Sequence, residues 1–303
     1  MKSPAGSDRV CLFSACLPGW TARRVVEAAV SLRFSTIEWA SGPGHAIEDP
    51  ATASEVRQLC ERAGLASGGV AVQDPAVTLA TPKAAAAHVA LAAALGAPHV
   101  RLLPPAYRGG SLRRERQRAV AGVDLIVELA APAGLAVLVE TSPSTLAPGP
   151  DLAAELVEHH PPERAGVLYD PGNMVIEGHL APTLAIARLG RYLRHVHVKN
   201  IGWARRGEAW QWRRARLAAG ILDWRSIVHG LAAARYEGRM SIDHLGGVVS
   251  KARLDSESAF LRGLVTEEFS PGSDSGGSPA GTGGGSSTTM SATGGTATSP
   301  VGA

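Results

Sequence analysis

Short apolar runs alternate along this chain with longer stretches whose apolar residues recur at helical spacing, and the alternation repeats eight times. The runs lie at 10–14, 36–39, 66–72, 99–103, 136–140, 166–170, 195–199 and 239–243, and they read as β-strands. The helical stretches between and after them lie at 21–32, 51–63, 82–95, 112–133, 151–159, 180–189, 224–234 and 254–265. Boundary residues agree with these spans. Gly64 and Gly96 stand just past two helix ends, where glycine adopts left-handed backbone at little cost. Thr81-Pro82 offers an N-cap followed by proline in the first turn.

Strand and helix alternating eight times over about 265 residues predict an α/β fold of one domain, a (β/α)8 TIM barrel. An open doubly wound sheet would carry a glycine-rich phosphate loop, and neither Gly42-Pro43-Gly44 nor Gly68-Gly69 has the dinucleotide spacing. The expected organisation is a flexible N-terminus over 1–7, the barrel over 8–269 and a tail over 270–303. That tail is almost wholly Gly, Ser, Thr, Ala and Pro. It lacks the apolar surface to offset the entropy of ordering and is expected to be disordered.

Composition narrows the function. Apolar residues make up 45% and charged residues 19%, which suits a globular protein with a large core. The formal charge is only +3. Arg113, Arg114, Arg116 and Arg118 cluster, but Glu115 interrupts them at helical spacing, so they read as a solvated helix face rather than a nucleic-acid surface. Cys11, Cys16 and Cys60 fit neither a zinc nor a disulfide pattern and point to reduced thiols. With no signal peptide and no apolar run long enough for a membrane, a cytoplasmic protein is expected.

Candidate chemistry lies at the strand ends, because barrel enzymes gather their reactive groups at the C-terminal rim. The fifth strand ends at Glu140 and the sixth at Asp170; the seventh carries His197, then Lys199 and Asn200. The eighth ends at Asp243, beside His244. His195 points the same way as His197 but sits deeper, which marks it as structural. Three carboxylates on one rim repel one another unless a cation joins them. Oxygen donors with one imidazole favour a single divalent metal, Mn²⁺ or Mg²⁺ first, with Co²⁺ or Zn²⁺ as alternatives.

The ordered chain, roughly 8–265, resembles the xylose isomerase-like superfamily of sugar phosphate isomerases, epimerases and family 2 AP endonucleases. The resemblance rests on Phe34-Ser35-Thr36-Ile37-Glu38-Trp39, on Ala92 through Arg101, and on Val139-Glu140. It rests further on Tyr169-Asp170-Pro171-Gly172-Asn173, on His195 through Asn200, on Gly220 through Trp224, and on Tyr236 through Asp243. It implies that Glu140, Asp170, His197 and Asp243 are the metal ligands. It also implies that Glu140 and Asp243 act as acid and base on either face of a substrate carbon, through a metal-stabilised enediolate.

Glu38, Asn173, Lys199 and Arg205 are the expected substrate contacts. Glu38 stands on the rim in this reading, and Trp203, Trp210 and Trp212 form a lid wall or equally cover the barrel mouth or a subunit interface. The chain departs from the family pattern at Asp243, where a glutamate is usual, and at Asn173, where many relatives carry histidine. It departs again at Ala218-Ala219-Gly220, where Gly-x-Gly is usual. The expected activity is isomerisation or epimerisation of a small, polyhydroxylated hydroxy-carbonyl compound, with dehydration as a near neighbour. A homo-oligomer is compatible with the resemblance, though nothing in the chain demands one. The alternatives are a phosphodiester hydrolase of the endonuclease IV kind and a non-catalytic ligand-binding barrel. The hydrolase would need additional histidine ligands, which His45, His88, His99, His179 and His229 do not supply by position. The barrel without activity draws only on the Asp243 and Asn173 departures.

Overall fold

The computed structural model describes residues 6–74, 76–178, 181–243 and 250–270. Eight parallel strands close into a barrel, and their order round it is β1 (Val10–Phe13), β10 (Arg239–Ile242), β7 (Leu193–Val198), β6 (Ala165–Tyr169), β5 (Ala136–Glu140), β4 (His99–Leu102), β3 (Ala66–Val72) and β2 (Thr36–Ser41). Closure is completed by the pairing of Val10, Cys11 and Leu12 with Met240, Ser241 and Ile242. An open sheet is thereby excluded. In β1, β2, β4, β5 and β6 every residue is buried, as expected where helices cover the outside and side chains fill the inside.

The covering helices are α1 (Ala22–Ser31), α2 (Pro50–Arg62), α3 (Pro82–Leu95), α4 (Leu112–Ala130), α5 (Pro150–Glu155), α6 (Pro171–Glu177), α7 (Pro182–Leu189), α8 (Trp224–Ala233) and α9 (Lys251–Phe269). Their starts are chemically marked. Asp49 accepts a hydrogen bond from the Thr52 amide ahead of Pro50, and the Thr21, Ser111 and Ser250 hydroxyls accept from amides three residues on. Gly96 ends α3 at φ 71°, a conformation that glycine takes without strain.

Three differences from the expected elements bear on the site. The segment holding the three tryptophans is a β-hairpin, β8 (Asn200–Arg206) with β9 (Ala209–Ala215), standing as its own two-stranded sheet. Most of its residues are exposed, Ala209 through Arg213 among them, so no long apolar run announces the two strands. A short helix, α6, starts directly at the end of β6, because Pro171 is preset for the first turn and Asp170 caps it. The helix expected over 151–159 is shorter, with α5 ending at Glu155 and turns following.

Gly6–Arg9 forms a 3-10 turn that overlaps the end of the segment expected to be flexible and the start of the barrel. The expected tail beyond Ser270, His179 and His244 lie outside the described residues. No helix among the described residues is long and apolar enough to cross a membrane.

Candidate metal centre

Barrel geometry carries residues that are far apart in sequence into one polar column inside the strands. At its lower end the rings of His99 and His195 lie 5.1 Å apart. His195 Nε2 is 2.7 Å from Ser241 Oγ and 3.2 Å from Glu38 Oε2. Glu38, completely buried, accepts a hydrogen bond from His197 Nε2 at 3.1 Å. The other nitrogen of that ring faces the mouth, 3.8 Å from Glu140 Oε1 and 3.7 Å from Asp243 Oδ2. Phe13 stacks against the ring at 4.9 Å and closes its side.

The four strand-end residues Glu140, Asp170, His197 and Asp243 lie close together. Glu140 sits at the end of β5, where Arg101 Nε approaches Oε2 at 3.0 Å and Asn173 Nδ2 donates to Oε1 at 3.2 Å. Asp170 uses Oδ1 to accept the Asn173 amide at 3.0 Å, which leaves Oδ2 for Lys199 Nζ at 2.6 Å. Asp243, placed by its amide's bond to the Val198 carbonyl, holds the same ammonium at 3.2 Å. One ligand atom each from Glu140, Asp170 and His197 falls within 4.8 Å of the others.

Charge regulation follows from this crowding. Burial alone would push the His197 imidazole down, but Glu38, with Glu140 and Asp243, outweighs it and holds the group up to about 9. Glu38 lies well below the usual carboxylate range despite burial, because His197 and His195 both favour its ionised form. Burial raises the Asp170 carboxyl, Lys199 pulls it back, and Glu140 and Asp243 push it further up. Lys199, although buried, is held above its ordinary value by Asp170 first and then Asp243 and Glu140.

The donor set fits a divalent ion. His197 Nδ1 is buried and makes no hydrogen bond among the described residues, an uncommon state for a buried ring nitrogen. It points to the place where the carboxylates converge, while its other nitrogen is bound to a carboxylate. That is the arrangement in which a metal-ligating imidazole has its orientation set from behind. Donors around one ion with bonds of roughly 2.1 Å stand about 3.0–4.3 Å apart, and the 3.7 and 3.8 Å separations lie in that range.

Above this centre a cavity of ≈ 210 Å³ is lined by Phe13, Arg101, Glu140, Asn173, His197, Lys199, Trp212, Arg214 and Asp243, among others. The expected substrate contacts divide here. Asn173 and Lys199 reach the cavity, whereas Glu38 does not. Its carboxylate lies below His197 rather than on the rim, because residue 38 precedes the end of β2 by three positions. Arg205 does not line the cavity either; it lies near the hairpin tip, exposed, with Nε donating to the Gly207 carbonyl at 3.1 Å.

Two residues with no role expected of them stand at the mouth, Arg101 and Arg214. Alternation along β4 with His99 as an inward residue would have pointed to Arg101. Arg214 depends on the hairpin register, in which Ile201 pairs Arg214, Trp203 pairs Trp212 and Arg205 pairs Trp210. Period-two geometry then puts these six side chains on one face, and its base (Ile201, Trp212 and Arg214) lines the cavity. Asn200, by contrast, is structural. It donates to the Leu217 and Leu222 carbonyls and accepts from two amides, fixing the return of the chain after β9. The missing Cβ of Gly220 gives it room, since one built there would stand 2.0 Å from the Asn200 side chain.

No curated protein matches the sequence. Among solved structures, a xylose isomerase domain protein from Planctomyces limnophilus is 22% identical, with a TM-score of 0.69 over 88% of this chain and 99% of that one. A xylose isomerase-like TIM barrel protein from Mycobacterium smegmatis, solved in complex with magnesium, is 17% identical with a TM-score of 0.69, over 89% and 100% of the two chains. A D-tagatose 3-epimerase-like protein is 15% identical with a TM-score of 0.71, over 85% and 97%. At these identities the likeness is one of fold. The profile of one family matches residues 26–263, most of the chain, and on that match the protein belongs to the xylose isomerase-like TIM barrel family.

Proposed function

We propose that this protein is a divalent-metal-dependent isomerase or epimerase of a small polyhydroxylated carbonyl compound, with Glu140, Asp170, His197 and Asp243 as the metal ligands. The observation that carries the reading is His197, whose Nδ1 is buried, makes no hydrogen bond among the described residues and faces two carboxylates while Glu38 holds Nε2. Fold neighbours that include an epimerase-like protein and a magnesium complex support it. The oxygen-rich donor set favours Mn²⁺ or Mg²⁺. A bound ion of this kind polarises a carbonyl and acidifies the neighbouring C–H.

The side chains supply the rest. Glu140 Oε1 and Asp243 Oδ2 both face His197 Nδ1, so two carboxylates are available to take a proton from carbon and to return one. Arg101 on Glu140 and Lys199 on Asp243 set a positive charge beside each of these carboxylates. The Lys199 ammonium, which lines the cavity, meets the negative charge that develops on an enediolate oxygen. The Asn173 amide fixes Glu140 by a hydrogen bond rather than exchanging a proton itself. Trp212 and Arg214 offer a ring face and a guanidinium to sugar C–H and hydroxyl groups.

Elemental analysis of the purified protein, beside Glu140→Gln and His197→Ala variants, tests the centre. About one divalent ion per chain is expected, lost from both folded variants. With the metal restored, a panel of ketoses and keto-acids in heavy water is expected to yield a compound that gains deuterium at carbon. Water loss accompanying that exchange would identify a dehydratase. A metal-free barrel, or a loaded one that exchanges no C–H on any ketose, ends the isomerase reading.

A further inference from the structure

On the outer wall, away from the mouth, two consecutive histidines converge on one carboxylate. His159 and His160 lie in the turns after α5, and Asp124 lies on α4. His159 Nε2 donates to Asp124 Oδ1 at 2.7 Å, and His160 Nε2 donates to the same oxygen at 2.8 Å. The two rings are 4.3 Å apart and tilted by 44°. Adjacent residues on a strand point to opposite sides, so a turn is needed to aim both rings at one point. The backbone that makes this turn is held in place. The Tyr192 hydroxyl reaches the Glu158 carbonyl at 2.9 Å and the His160 carbonyl at 3.1 Å, and the His160 amide donates to Val157.

A helix-to-loop clip needs only one such hydrogen bond. Two imidazoles on a single carboxylate oxygen place two nitrogen donors and an anionic oxygen within 4.8 Å of one another. We infer that Asp124, His159 and His160 form a second metal site, selective for a nitrogen-preferring divalent ion such as Zn²⁺ or Ni²⁺. Two imidazoles and one carboxylate suit these ions, whereas Mg²⁺ and Mn²⁺ favour the oxygen-rich centre in the barrel. Around an ion with bonds near 2.1 Å, nitrogen and oxygen ligands stand roughly 3.0–3.4 Å apart. The rings therefore need to withdraw by only a few tenths of an ångström from Asp124. Partial exposure, 39% for the His159 side chain and 48% for Asp124, gives an ion access, and water completes its coordination. Bound there, the ion joins α4 to the loop before β6 and plays no part in the barrel chemistry.

The test uses the full chain without a histidine tag, its barrel saturated with Mn²⁺, titrated calorimetrically with zinc chloride. The expected result is one further Zn²⁺ per chain, with affinity reduced more than about ten-fold in His159→Ala and in Asp124→Asn. Glu140→Gln is expected to retain this site. Long-range ¹⁵N NMR is expected to show both Nε2 atoms shifting to ligated values on Zn²⁺ addition. Zinc binding that is unchanged in the folded Asp124→Asn and His159→Ala variants would overturn the assignment. So would the absence of any zinc binding beyond the barrel. Because the barrel is scored separately through Glu140→Gln, failure of the outer site is distinguishable from failure of the metal centre.

Discussion

Replacing Lys199 with methionine keeps most of the side chain's volume and deletes an ammonium that stands 2.6 Å from Asp170 Oδ2 and 3.2 Å from Asp243 Oδ2, at 5% exposure. At an effective dielectric near 20, the two attractions are worth about 6 and about 5 kcal/mol before desolvation is counted. Desolvating the three groups offsets most of that, and removing one partner of a buried ion pair typically costs about 3–5 kcal/mol. In the metal-free protein Lys199→Met is therefore expected to lower stability by that amount. At roughly 2 °C per kcal/mol for a domain of this size, the melting temperature falls by about 6–10 °C. A divalent ion restores the missing positive charge, so saturating Mn²⁺ is expected to raise the melting temperature more in the variant than in the parent. Scanning calorimetry of chelator-treated and Mn²⁺-loaded samples of both proteins measures the four values needed. Equal melting temperatures without metal would refute the claim that Lys199 balances the carboxylates. Equal metal-induced rises would refute the claim that ammonium and metal serve the same charge.

Other expectations follow from single contacts. Gly69→Ala would place a Cβ 2.2 Å from His99 Nε2 at a backbone φ of +151°, so it is expected to unfold the barrel at temperatures where the parent is native; a urea titration checks this. His99 is pushed down to about 3 by burial first and His195 second, so below its ordinary 6.5 only the unfolded chain takes up the proton. Its contribution to stability therefore falls as pH drops from 6.5 towards 3, by about 2 kcal/mol between pH 7 and 5, and His99→Leu is expected to abolish that slope in urea titrations at the two pH values. Arg101→Met leaves the buried Glu140 carboxylate without its guanidinium and the Val72 carbonyl without its 2.8 Å donor, at an expected cost of about 3–5 kcal/mol in chemical denaturation. Trp212→Ala, once a substrate is in hand, is expected to raise KM by roughly ten-fold and to change kcat little, because the ring lines the cavity and is not one of the proposed metal ligands; an equal loss in kcat would contradict this.

What the sequence determined on its own is whatever depends on neighbours along the chain. The period of apolar residues separates strand from helix, and the eight-fold alternation then admits a barrel, because parallel strands need crossovers and helices must bury one face. The same local rule names Glu140, Asp170 and Asp243 as strand ends and puts His195 and His197 on one side of β7. It does not reach Glu38, whose histidine partners lie 157 and 159 positions away, or Arg101, whose place on Glu140 depends on the alignment of β4 with β5. Nor does it say that Lys199 sits between two aspartates that follow two different strands. The hairpin over 200–215 escaped for a further reason: most of its residues are exposed, so no apolar run marks it, and Arg214 rather than Arg205 reaches the mouth because it stands at the base of their shared face while Arg205 lies near the tip. The convergence of His159 and His160 on Asp124 was equally out of reach, since a turn held by Tyr192 aims both rings. Propensity and periodicity are properties of a few successive residues, whereas the separation of two charged atoms is set by how the strands stagger as the barrel closes, and that is fixed only when the whole chain packs.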